Sequence, residues 1–187
     1  CVHHYWEVAK EERPVYAFTP DAGFPLIYAE KGITNLVFEK PLPAPGDLRI
    51  DHAGGGRRPN MVPDYAEATL SGSQEAQLTA IRLLKRFWDK NVTFEVTDTG
   101  ITVRAYGKSA HGSTPALGDN AVARLARALQ TLGLPDSEAW LDFVAKTVDT
   151  TGSALGIAHS DAVAGALTSN LGILTYTDKG TVQLTFN

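Results

Sequence analysis

Residues 33–134 carry the pattern that most restricts the fold. Three strand-like stretches, "ITNLVFEK", "DLRIDHAG" and "AEATLSG", precede a long amphipathic helix over 73–90. Two more strands follow in "TFEVTDTGITVRAYG", and then a second helix over 119–133. Consecutive strands joined by short turns pair antiparallel, and helices threaded between them bury their apolar side on one face of the sheet. The order therefore predicts an α+β fold: a two-layer, ferredoxin-like sandwich with an antiparallel sheet and helices on one face. In the first helix Leu78, Ile81, Leu84, Phe87 and Trp88 form the expected apolar stripe, with Ser73 as N-cap. Asp119 is the expected cap of the second helix, and Gly133 and Pro135 its stop. A third helix is expected over 137–148, and "GILTYTDKGTVQLTF" reads as a hairpin turning at Asp178–Gly180. "PLPAPGD" and "GGGRRP" read as turns.

Before this domain, residues 1–12 read as a helix with Val2, Tyr5, Trp6 and Ala9 on one face, and "VYAF" (15–18) as a short buried strand ending at Pro20. The chain begins with Cys1 inside the helical pattern, with no cap before it, and ends at "TVQLTFN" within a strand pattern, so we expect it to be a segment of a longer protein. Its net charge of −4 offers no basic cluster for nucleic acid or an anionic membrane surface. No apolar run approaches the roughly 20 residues that span a bilayer. A single cysteine permits no internal disulfide, which fits a reducing, cytoplasmic setting.

Three residues stand out as chemistry-bearing. Asp21, in "FTPDAGFP", lies on a turn stiffened by Pro20 and Pro25. There a carboxylate suits a metal ligand or general base, or simply closes an Asx-turn. His111, in "GKSAHGSTP", is flanked by Gly107 and Gly112, which allow close approach by a ligand or another backbone. Its imidazole suits metal binding, oxyanion stabilisation or a loop held by backbone bonds. Asn60, between two prolines in "RRPNMVPD", has its amide aimed by a stiff backbone, toward a substrate carbonyl or into its own turn. The remaining candidates are weaker. His3 and His4 are adjacent and diverge on a helix. His159 and Asp161 have an H-x-D spacing with no strand before them. Glu11 and Glu12 read as solvated, Gly54–Gly56 lack the lysine of a phosphate loop, and Ser109 and Ser113 have no nucleophile elbow.

The order of four segments is more specific than any one of them. "FTPDAGFPLIYAEKGI", "RRPNMVPDYAEA", "YGKSAHGSTPALGDNAV" and "LGIAHSDAVAGALTSNLGIL" together resemble the bacterial PepV-type dipeptidases of the dinuclear-zinc aminoacylase/carboxypeptidase-G superfamily. The resemblance implies a catalytic domain binding two zinc ions, with a lid inserted into it. Residues 1–32 would end the first catalytic segment, and 33–187 would be the lid, truncated at its C-terminal end. It further implies that Asp21 is a zinc ligand, that His111 polarises the scissile carbonyl and stabilises the tetrahedral intermediate, and that Asn60 lies against bound dipeptide. The family's H-x-D ligands and Glu-Glu pair would lie before Cys1, and its last zinc histidine and substrate-gripping arginine after Asn187. One ligand cannot hold a catalytic metal pair, so zinc is expected to be absent or weakly bound here, and the chain alone inactive without the remainder of the catalytic domain. Gly23 stands where the family commonly has glutamate. The alternatives are the lid or dimerisation domain of a related aminoacylase or N-acyl-amino-acid deacylase, and a non-catalytic interaction module of the same fold.

Overall fold

The alternation read from the sequence is realised as one seven-stranded antiparallel sheet in a computed structural model, which describes residues 4–12, 15, 16, 27, 29–177 and 180–187. The chain divides into two compact units, residues 1–31 and 32–187. In the first, helical geometry among the described residues covers the single turn His4–Val8, and residues 9–12 of the expected helix over 1–12 are not helical. The Tyr5 hydroxyl donates to the Glu12 carbonyl, and the Glu11 N–H to the Tyr5 carbonyl. The "VYAF" strand lies partly outside the described residues, and Asp21 wholly so.

In the second unit the strands are β1 (Leu36–Pro41), β2 (Arg49–Gly55), β3 (Tyr65–Ser71), β4 (Val92–Thr97), β5 (Gly100–Tyr106), β6 (Ser160–Asp161), β7 (Gly165–Ala166), β8 (Leu171–Thr177) and β9 (Thr181–Phe186). The helices are α1 (Gln74–Arg86), α2 (Ala121–Gln130) and α3 (Glu138–Thr147). The main sheet runs β1-β9-β8-β2-β3-β5-β4, with β6 and β7 as a separate small ribbon. Register sorts the side chains by face. Ala66, Ala68 and Leu70 of β3 stand opposite Ala105, Val103 and Ile101 of β5, and all six are buried. The intervening Tyr65, Glu67 and Thr69 face Tyr106, Arg104 and Thr102 on the other side, which is polar and carries the Arg104–Glu95 ion pair. The helices add their apolar residues to the first face, giving the predicted two-layer sandwich.

Small residues let the layers meet closely. Ala53, Ala66 and Ala105 lie beneath a helix that itself buries Ala121, Val122, Leu125 and Leu129. A Cβ on Gly55 would come within 2.7 Å of both Ala66 Cβ and Val122 Cγ2. Gly54 and Gly55 therefore finish a strand, half-buried, where the sequence suggested a turn. At the other end of the sheet Phe38 packs against Phe143 of α3 and Phe186 of β9, with ring centroids 5.0 and 5.7 Å apart.

Two expectations about helix ends are corrected. Ser73 does cap α1, accepting from the Ala76 N–H, but the helix stops at Arg86, with Phe87 extended. Trp88 is thereby thrown out of helical register and is 90% exposed, while Leu78 is half exposed; Ala80 and Leu84 are buried in the core, and Ile81 and Phe87 pack against it as expected. For α2 the cap is Asn120, whose Oδ1 accepts from the N–H groups of Val122 and Ala123. The Asp119 carboxylate is drawn away to Arg124. Among the described residues no helix is long and apolar enough to cross a membrane.

Candidate functional site

The residues joining β5 to α2 form an excursion whose shape is set by main-chain pairing with the stretch before β3. Its ends meet where Lys108 and Asp119 exchange N–H···O bonds of 2.9 and 2.8 Å. Along one side the Val62 N–H donates to the Ala110 carbonyl at 2.9 Å, and the Gly112 N–H to the Asn60 carbonyl at 2.7 Å, so Met61 and His111 sit opposite each other. The prolines around Asn60 suit this arrangement: they lack donors, and Pro63 offers only its carbonyl, which accepts from the Ala121 N–H. Asn60 and His111, 51 positions apart in the chain, are thus carried on adjacent paired segments, and both side chains are exposed.

The His111 ring is oriented from within its own loop. The Ser113 main-chain N–H donates to Nδ1 at 3.2 Å, and the Ser113 hydroxyl lies 2.8 Å from the same nitrogen. A main-chain N–H can only donate, so Nδ1 must offer its lone pair, and the neutral ring carries its proton on Nε2. This tautomer follows from the hydrogen-bond network. The result is an exposed imidazole whose donor is Nε2–H. Gly112 behind it is buried, and a Cβ there would meet Asn187 Oδ1 at 3.0 Å and the Asn60 carbonyl oxygen at 3.1 Å. That crowding explains the glycine after the histidine.

Two further groups brace this site. Arg124, on the first turn of α2, grips both carboxylate oxygens of Asp119 and also Asp89 at the entry to β4. Hydrogen bonding to Asp119 leads the raising of its already high pKa, opposed by burial and helped by Asp89. Asn170, just before β8, sends its amide to the Pro59 and Met61 carbonyls at 2.8 and 3.0 Å. Sequence reasoning weighed Ser113 only as a nucleophile, and singled out neither Arg124 nor Asn170. An ordinary asparagine in "TSN" gives no signal of partners far away in the chain, and an arginine on the first turn of a helix gives none of Asp89.

Beside the loop a cleft of about 240 Å³ is lined by Asp119, Arg127, Ser169 and Asn170 among others, but not by Asn60 or His111. The pair thus lies outside this cleft, both side chains exposed, on two paired segments that together we call the ridge. Arg57, Arg58 and Lys108, all exposed, are close to it in sequence and favour an anionic or carboxylate-bearing neighbour. Among the described residues no three His, Cys, Asp or Glu side chains converge to hold a metal ion, so these residues do not by themselves fit a zinc pair. Asp161 of the H-x-D pattern instead accepts from the N–H groups of Val163 and Ala164, and those bonds lower its pKa. It closes a turn.

Comparison with known proteins agrees with this architecture. Residues 99–173, which include His111 and its loop, match the family described as the peptidase dimerisation domain. The chain is 35% identical to the Bacillus subtilis protein named "Putative dipeptidase YtjP", over 94% of this chain and 39% of that protein. A protein of Staphylococcus aureus (strain bovine RF122 / ET3-1), also named as a dipeptidase, is 32% identical over the same shares. One from Staphylococcus haemolyticus is 30% identical over 96% of this chain and 40% of its own length. The chain thus spans about two-fifths of the curated relatives it matches. With the sandwich fold and a likeness running along nearly all of its residues, it is similar to a segment of peptidases named as dipeptidases, and residues 99–173 match the peptidase dimerisation domain.

Proposed function

We propose that this chain is the lid-bearing part of a zinc-dependent dipeptidase acting in the cytoplasm. Residues 1–32 end a catalytic segment in which Asp21 is a metal ligand, and residues 33–187 form the lid. The lid offers Asn60 to bound dipeptide and His111 to the reacting carbonyl. As water adds to a peptide carbonyl, negative charge gathers on the oxygen, and a donor fixed in advance at that position lowers the barrier. The observation that carries the reading is the tethered ring: Ser113 holds Nδ1 of an exposed histidine, which leaves the proton on Nε2 as the group that can donate to a ligand. A ridge suits a group that completes a cleft formed elsewhere, and the slim, glycine-flanked loop allows the approach.

The test is His111→Ala in the longer protein, with dipeptide hydrolysis, metal content and melting temperature measured on one preparation. Loss of one oxyanion donor should lower kcat by roughly 10²–10³-fold. KM should move much less, because uniform binding is not what is lost. Metal content and melting temperature should hold. A near-normal kcat would reject the role, and a collapse in metal content would make His111 a ligand instead.

The family description over 99–173 favours a second reading of the same domain, self-association. Light scattering at rising protein concentration separates the two: a constant monomer mass supports a lid acting within one chain, and a dimer supports association.

A further inference from the structure

We propose that Asn170 is the positioning residue for the Asn60–His111 ridge, setting where the first segment stands and through it the second. Its functional meaning rests on the catalytic reading above, whereas its structural claim does not. Asn170 is only 3% exposed, yet it belongs to no strand or helix. Its main chain exchanges both N–H···O bonds with Asn187 at 2.9 Å, which anchors it to the end of β9. From that anchor the side chain reaches the carbonyls on either side of Asn60, those of Pro59 and Met61. Both acceptors are carbonyls, so the group facing them must be the NH₂, and each of its two hydrogens has a partner.

The geometry works like an extra strand made from one side chain. The 59–63 segment pairs through its main chain with the His111 loop on one side, by Val62 to Ala110 and Gly112 to Asn60. Asn170 holds two of its carbonyls from the sheet. The neighbouring backbone leaves little slack, since a Cβ on Gly172 would stand 2.2 Å from the Pro59 oxygen. Remove the Asn170 donors, and two part-buried carbonyls lose their partners.

Hydrogen exchange read at single amides on Asn170→Asp tests this. The aspartate keeps the shape but cannot donate, and its charge opposes both carbonyls. Asn170→Ala removes the donors without adding charge and serves if the first variant does not fold. Exchange at Val62 and Gly112 should rise about ten- to a hundredfold, the effect of two lost hydrogen bonds, while Leu125 and Ala126 in α2 exchange as before. Unchanged exchange at Val62 and Gly112 overturns the proposal, as does a rise shared equally with α2, which is general loss of stability. In the longer protein the same variants should lower kcat more than they raise KM. Selective loosening with a normal kcat would retain Asn170 as the positioning residue and reject the catalytic reading of the ridge.

Discussion

Two long excursions leave the sheet, and they are held in opposite ways. The loop carrying His111 is fixed by partners distant in the chain: residues 60 and 62 pair with its main chain, and Asp89 shares Arg124 with Asp119. The excursion from α3 toward β8, residues 148–169, is closed largely by neighbours, whereas Asn170 at its end is held from afar. Asp149 accepts from the N–H groups of Thr151, Ser153 and Ala154 and from the Thr151 hydroxyl, Asp161 closes its own turn, and Leu167 donates to the His159 carbonyl. Local caps shape a loop, but they do not fix its place relative to the rest of the domain. Long-range main-chain pairing does both, and the residues proposed to act on substrate stand on the loop that has it.

The largest expected effect comes from breaking the close approach behind the ridge. Gly172→Ala puts a carbon 2.2 Å from the Pro59 oxygen and 2.7 Å from its Cα, and neither is a flexible side-chain end. It should destabilise by about 3 kcal/mol, measured by denaturant unfolding, and disturb the Asn60 segment with it. A wild-type midpoint would mean the ridge has slack that the geometry denies it.

Arg124→Lys should be milder. Lysine keeps the charge but cannot present the planar fork that meets both Asp119 oxygens while also reaching Asp89. A loss of about 1–2 kcal/mol is expected, with faster exchange at the Lys108 and Asp119 amides. Loss of stability with no change at those amides would detach Arg124 from the His111 loop.

Asp149→Asn, in the locally capped excursion, should cost less than about 1 kcal/mol at neutral pH and leave the ridge amides unaltered. Burial acts to raise the Asp149 pKa, but the hydrogen bonds from Thr151, Ala154 and Ser153 outweigh it and hold the group at about 2. A carboxyl lowered on folding stabilises fully above its unfolded value near 3.8, and that contribution fades as pH falls from there through about 2. The stability gap between wild type and Asp149→Asn should therefore narrow over that range. A gap that stays constant would show that the hydrogen bonds do not depend on the charge.

The same contrast explains what the sequence made legible. Local signals fixed β4 and β5, α1 to α3 and the Ser73 cap, because each depends on residues a few positions apart. The α+β sandwich followed from their order. Trp88 misled because helical spacing ignores where the helix ends, and Asp119 because a nearby arginine competes for a carboxylate that would otherwise cap. At the ridge, the glycines and prolines around His111 and Asn60 were readable as backbone requirements. Their pairing with each other was not, nor was Asn170, whose acceptors lie 111 and 109 residues away. Asp21 lies outside the described residues, and its place as a metal ligand stays a proposal.

The claim that His111 recognises charge on a tetrahedral oxygen is tested most directly by inhibition of the longer protein with a phosphinic dipeptide analogue, whose tetrahedral oxyanion mimics the reacting centre. A group complementary to the transition state should affect this analogue far more than the substrate. We predict that His111→Ala weakens analogue binding by roughly 10²–10³-fold, in parallel with its loss of kcat/KM, while dipeptide affinity changes little. Equal weakening of analogue and dipeptide, or none of either, would contradict the account.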